Sequence, residues 1–327
     1  MIGDIKVCDL HCDTISVIKH ASKRFNKEFH LNENELSIDI NKMEKGNYLL
    51  QTFAMFIYLR KEIDPYIEVK DMIQVFKKEI NSNNDKIKQV YSYGDIIENE
   101  RNGLMSALLS VEEGAVVKGD LSLLEDIYND GVRMITLTWN FENEIGYPHV
   151  MGKVNNNLGL KPFGFAMIKK MEELGIIIDV SHLSDDGFYD VYNNTTKPFI
   201  ASHSNSRSVC NHSRNLTDDM ILKLASRGGI MGINYCDSFI NEGSSKEELF
   251  VNVDDLVKHI EYIKNLAGVD CIALGSDFDG IGLNNEINNA SKMQLLKDRL
   301  YERGFTKEEI EKIFYKNVLR VFKACLK

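Results

Sequence analysis

Eight apolar runs of strand length recur along this chain of 327 residues, and amphipathic stretches of helical period lie between them. The runs are "IKVCDLHCD", "YLLQTFAMFIY", "LMSALLSVEE", "GVRMITLTW", "GIIIDVSH", "PFIASHS", "GGIMGINY" and "VDCIALGSD". Their apolar character is nearly continuous, as a strand buried on both faces of a parallel sheet requires. Stretches such as "DLSLLEDIYNDG", "KPFGFAMIKKMEELG", "LTDDMILKLASRGG" and "VDDLVKHIEYIKNLAG" place apolar residues three and four apart. They carry Asp or Thr near the start and Gly at the end, which is helix punctuation. Eight strands alternating with helices predict an α/β fold, a closed (β/α)8 TIM barrel; a doubly wound open sheet is the rival. No repeat, low-complexity tract or Pro- or Gly-rich linker interrupts the pattern, so a single (β/α)8 domain over residues 1–327 is expected. The polar "NSNNDK" at 81–86 and the region 240–250 are expected as surface loops.

Metal-capable residues collect at the ends of these runs. The first ends in His11 and Asp13, two apart, so their side chains share one face of a strand, together with Asp9. The third ends in Glu112 and Glu113, the fifth in His182, the sixth in His203 and the eighth in Asp277 and Asp279. In a barrel these ends form a single face, the one on which active sites are built. Imidazoles mixed with carboxylates suit zinc or a related divalent ion. Each residue also has a plainer reading. His182 could cap the next helix in competition with Ser184 and Asp185, and Asp279-Gly280 is a good turn pair. All the plain readings would have to hold together for the cluster to be structural. His20, His30, His149, His212 and His259 are expected at the surface, His149 and His212 in loops near the mouth of the barrel.

The bulk properties narrow the partners. A formal charge of −10 opposes a nucleic-acid partner, which calls for a basic face. No run approaches eighteen apolar residues, so no membrane span is expected, and "MIGDIKVCDL" does not read as a secretory leader. None of the six cysteines forms a C-x-x-C pair, and a reducing cytoplasm is the expected home.

The stretches "DLHCDT", "SVEEG", "GVRMITLTWN", "GLKPFGFAMIKKMEELGIIIDVSHLS", "PFIASHSNSRSVCNHSRNLTDDM", "LGSDFDGI" and "GFTKEEIEKIFYKNVLRVF" resemble, in order, the membrane (renal) dipeptidase family of zinc peptidases. The resemblance implies hydrolysis of small dipeptides, tolerance of a D-residue at the C-terminal position, and a homodimer. It implies two zinc ions: His11 and Asp13 on one, His182 and His203 on the other, and Glu112 bridging them. Glu113 is the adjacent candidate for the bridge. Arg214, in "HSRN", resembles the arginine that holds the substrate's terminal carboxylate, and a bidentate guanidinium suits that task. Asp277 resembles the proton-shuttling aspartate. Trp139 departs from the pattern, because better-known members carry there a histidine that contacts the peptide carbonyl. Indole donates one hydrogen bond but carries no proton, so the role passes to the ions or to a neighbour such as Asn140 or His149. The alternatives are a metal-dependent amidohydrolase for N-acyl amino acids, lactams or lactones, and a non-catalytic zinc-binding barrel. The H-x-D opening separates the chain from relatives that begin H-x-H, and no lysine stands at a strand end to form a carbamylated bridge.

Overall fold

The computed structural model describes residues 3–149, 158–282 and 284–327. Parallel pairing links β1 (Val7–Cys12), β2 (Tyr48–Phe56), β3 (Ile87–Val90), β4 (Met105–Glu112), β5 (Val132–Thr136), β6 (Ile177–Asp179), β7 (Ile200–Ala201), β8 (Ile230–Ile233) and β9 (Ile272–Leu274). β1 pairs with both β2 and β9, and β2 pairs directly with β4, which closes eight of the strands into a ring. The expected (β/α)8 barrel is therefore present.

The remaining strand, β3, was not anticipated. It pairs with residues 105–108 of β4, on the edge that β5 takes over from Leu109 onward. Its "IKQV" has buried ends, Ile87 and Val90, around an exposed Lys88 and a half-buried Gln89, as a short strand at the rim of a ring can. Several barrel strands are shorter than their apolar runs. β6 stops at Asp179 and β7 at Ala201, so Val180–His182 and Ser202–Ser204 leave the ladder and turn into the mouth.

The helices follow the sequence punctuation. Helix Pro162–Leu174 opens with Pro in its first turn and stops at Gly175, whose φ of 84° is the left-handed stop that glycine accepts most easily. Helix Val253–Ala267 begins with a capping box between Asn252 and Asp255. Helix Pro65–Ser82 runs into the expected loop at 81–86, and Asn83 is buried with Nδ2 donating to Glu79 O at 2.8 Å. No helix of the described residues is long and apolar enough to cross a membrane.

His259 corrects one expectation. It is fully buried in helix Val253–Ala267, between the apolar positions Leu256, Ile260 and Ile263 of the inward stripe. Its Nδ1 accepts from Ser206 N at 3.3 Å and its Nε2 lies 3.2 Å from Ile240 O, so Nε2 carries the proton. Desolvation lowers its pKa to about 4.

The core places the site. Leu50, Leu108, Met134, Ile177, Ile200 and Ile230, one from each of six neighbouring strands, form one buried cluster with Val321 and Phe322 of the C-terminal helix. Two residues further along a strand, on the same face, apolar gives way to polar: Ser110, Thr136, Asp179 and Ser202. Two glycines make room here. A Cβ on Gly275 would lie 1.8 Å from Ser202 O, and one on Gly232 would lie 2.0 Å from the same oxygen. The third layer up holds the charges.

Candidate metal centre and substrate cavity

Glu112, the last residue of β4, is buried at the middle of this layer and turns its two oxygens to different partners. Oε1 lies 3.0 Å from His182 Nε2 and 3.6 Å from His203 Nε2. Oε2 lies 3.4 Å from His11 Nε2, which is itself 3.5 Å from Asp13 Oδ2 and 3.9 Å from Asp277 Oδ1. His182 and His203 face each other across 3.0 Å between their Nε2 atoms. Residues of β1 and β4 and of the segments that follow β1, β6, β7 and β9 thus meet in one place.

Backbone contacts beyond the ladders hold these ends together. Asp13 N donates to Phe278 O at 2.9 Å and Asp277 N to His11 O at 3.2 Å, which joins the end of β1 to the end of β9. His182 and Asp277 have positive φ, 70° and 62°. For a residue with a Cβ this costs about 1–2 kcal/mol, and such strain persists where the surroundings fix a side chain's aim. Behind His203, Nδ1 lies 2.7 Å from Ser202 Oγ, which donates to Asp179 Oδ2 at 2.5 Å. Thr136 Oγ1 donates to the same oxygen at 2.6 Å. Asp179 is the one acid in the run "GIIIDVSH", a signal by which the sequence could have revealed this support.

The donor set fits metal ions. Two ligands about 2.1 Å from a tetrahedral ion lie about 3.4 Å apart, close to the separations around Glu112. Both ring nitrogens of His11 and Oδ1 of Asp13 are buried without a hydrogen-bond partner among the described residues. An orphaned buried polar atom costs about 1–3 kcal/mol, which a cation would relieve. Two groupings, His11–Glu112–His203 and His11–Asp13–Asp277, bring their ligand atoms within 4.8 Å of one another.

The protonation states respond to the same crowding. Burial lowers His11, but Glu112 and Asp13 outweigh it and hold the imidazole well above its ordinary pKa. His182 and His203 lie well below theirs through burial and neighbouring positive charge, Arg214 included. Burial raises Asp277 to about 7, with Asp13 and Glu112 adding to the rise. A bound cation favours neutral imidazole and ionised carboxylate at every one of these positions.

Glu113 does not join the cluster. Its φ of 100° turns it away, and its carboxylate accepts from Ala115 N at 2.9 Å, Trp139 N at 3.0 Å and Asn143 Nδ2 at 2.6 Å. It shapes the loop that carries Trp139. Asp279 is also structural, accepting from Thr14 Oγ1 at 2.7 Å and Ser37 N at 2.8 Å.

A cavity of about 410 Å³ opens beside His182, lined by Asn140, His149, His212, Arg214 and Phe239 among others. Arg214 is buried, its Nη2 3.2 Å from His203 O and its Nη1 3.4 Å from Ser204 Oγ, and its Nε has no partner among the described residues. Its hydrogen bonds thus reach a carbonyl and a hydroxyl, which leaves room for an anion. His149 lines the same cavity; burial, then Arg214 and His212, lower its pKa to about 2, so the ring stays neutral. Trp139 also stands near His182, its ring centroid 6.2 Å from that imidazole and 4.9, 5.4 and 5.6 Å from Phe56, Tyr58 and Phe141.

A closed parallel barrel whose C-terminal mouth gathers three imidazoles around a shared carboxylate, beside a buried guanidinium, defines a metal-dependent hydrolase. Residues 1–326 match the membrane dipeptidase family, peptidase family M19, and the chain belongs to it. It is a metallo-dipeptidase. An uncharacterized dipeptidase of Schizosaccharomyces pombe is 34% identical over 301 residues, which is 87% of this chain and 71% of that protein. The crystal structure of a dipeptidase described as an M19 metallo peptidase superposes with a TM-score of 0.89 at 20% identity, over 99% of both chains. A metallo peptidase from Rhodobacter sphaeroides, liganded with a phosphinate mimic of the dipeptide L-Ala-D-Ala, gives 0.87 at 18% identity, over 99% of this chain and 100% of that one.

Proposed function

We propose that this metallo-dipeptidase works with two zinc ions and cleaves dipeptides that have a free C-terminal carboxylate. The observation that carries the reading is the divided aim of Glu112, one oxygen toward His182 and His203 and the other toward His11. His11 and Asp13 would hold one ion, His182 and His203 the second, and Glu112 both. When bound, the ions would supply an acidified water and polarise the peptide carbonyl.

The chain's own residues do the rest. Arg214 takes the terminal carboxylate in the cavity, setting the peptide bond over the cluster. Asp277, whose Oδ2 accepts from Asn234 Nδ2 at 3.0 Å, is a carboxyl raised to about 7. A carboxylate beside His11 and Asp13 is placed to receive a proton from the attacking water and return it to the leaving nitrogen. Trp139, with Phe56 and Tyr58, forms the apolar wall facing the N-terminal residue. The phosphinate mimic bound by the Rhodobacter sphaeroides relative supports acceptance of a D-residue at the C-terminal position. We extend the reading to a homodimer in the cytoplasm, where the six unpaired cysteines would stay reduced.

The test is a substrate panel of L-Ala-L-Ala, L-Ala-D-Ala, N-acyl amino acids and lactones, assayed before chelation, after it and after zinc is returned. Dipeptides should be the best substrates and their cleavage should vanish and recover. Preference for an acyl amino acid or lactone, or turnover that survives complete metal removal, would end the reading.

A further inference from the structure

We propose that Asn140 is a positioning residue for the metal centre, its side-chain carbonyl fixing the tautomer and aim of His182. The assignment rests on the two-ion reading above. An imidazole that offers Nε2 to a cation carries its proton on Nδ1, and that proton needs an acceptor. For His203 the acceptor is Ser202 Oγ, backed by Asp179 inside the barrel. For His182 it is Asn140 Oδ1, at 2.9 Å from Nδ1.

The same oxygen lies 3.0 Å from His149 Nε2. A carbonyl oxygen accepts two hydrogen bonds and an amide nitrogen accepts none. Two imidazole N–H groups converging on one atom therefore decide which end of the amide faces them. With its proton on Nε2, His149 leaves Nδ1 as an acceptor, and Ser213 Oγ stands 2.9 Å away to donate. Each group from Ser213 through His149 and Asn140 to His182 thus has one consistent role. The backbone ties the same residues together, His149 N donating to His182 O at 2.7 Å. Asn140 and His149, the two neighbours that could answer for Trp139, thus differ in what they have left to offer. Both ring nitrogens of His149 are engaged, whereas the amide nitrogen of Asn140 has no partner among the described residues.

The experiment compares the full-length wild type with Asn140→Leu and Asn140→Asp. Zinc content and affinity are measured by elemental analysis and chelator competition, with kcat, KM and thermal melting alongside. Asn140→Leu keeps the volume but loses the acceptor. It should bind one of the two ions about 10–100-fold more weakly, with kcat falling in parallel and recovering in excess zinc. Asn140→Asp keeps the acceptor and should hold both ions at least as tightly as wild type. The assignment is overturned if Asn140→Leu binds both ions like wild type, if folded Asn140→Asp loses the same ion, or if turnover falls while both ions remain tightly held. A wild type that binds no pair of zinc ions overturns the proposed centre and this assignment with it. A normal wild type beside an indifferent Asn140→Leu overturns this assignment alone.

Discussion

Replacing Arg214 with methionine should separate substrates by their C-terminal charge. Methionine keeps an apolar stem near Phe239, whose ring lies 5.4 Å from the guanidinium carbon, and removes only the charge and its donors. Arg214 is 4% exposed, so a carboxylate paired with it is shielded from water. Hydrogen bonds to a charged group contribute about 1.5–3 kcal/mol each, and truncating one member of a buried charge pair costs about 2–5 kcal/mol. A middle value of about 4 kcal/mol corresponds to roughly 10³ in kcat/KM. Free dipeptides should lose that much, mostly through KM, while the corresponding dipeptide amides, already poor, change only several-fold. Steady-state kinetics on matched acid and amide pairs decide the matter. Thermal melting should show no loss of stability, because the replacement removes a buried cation whose hydrogen bonds go to a carbonyl and a hydroxyl. Equal losses on acids and amides would show that the guanidinium does not hold the carboxylate.

Asp277→Asn should retain its metal yet lower kcat by about 10²–10⁴; normal turnover in that variant would place the proton transfer elsewhere. Gly275→Ala would force a methyl group to within 1.8 Å of Ser202 O and push the turn that carries His203. It should cost about 1–3 kcal/mol in chemical denaturation and weaken metal retention, whereas an unchanged protein would refute the close approach. His259 supplies a pH dependence. Its folded pKa of about 4 lies below the ordinary value near 6.5, so its contribution is whole above pH 6.5 and is lost as pH falls toward 4. The loss attributable to this residue is about 3 kcal/mol. Unfolding titrations of wild type and His259→Gln should diverge over that interval, and parallel curves would show that His259 is not held neutral.

The barrel was legible because its strands are buried on both faces and its helices carry both period and caps. Those are local properties of the chain. His11, Asp13, Glu112, His182 and His203 could be singled out because each ends an apolar run, and a parallel barrel sends all such ends to one mouth. β3 escaped notice because four residues at the rim, two of them polar, carry little apolar signal. His259 was misjudged because its helix stripe reads as well with the imidazole outside it, and only the backbone groups of Ser206 and Ile240 from other segments draw it in. The resemblance favoured Glu112 over Glu113 as the shared carboxylate, but the reason Glu113 turns away, its φ of 100°, is one that the letters do not carry. Asn140 belongs to the same class. Its importance comes from two imidazoles, 9 and 42 residues away in the chain, meeting at one oxygen.

The proposed centre depends on Glu112 as a shared ligand. Anomalous diffraction at the zinc absorption edge, from crystals of the zinc-loaded protein, measures this directly. Two peaks should flank Glu112, about 3.5–4 Å apart, one within bonding distance of His11 and Asp13 and the other of His182 and His203. A single peak, or peaks that leave Glu112 outside bonding distance, would contradict the proposed centre.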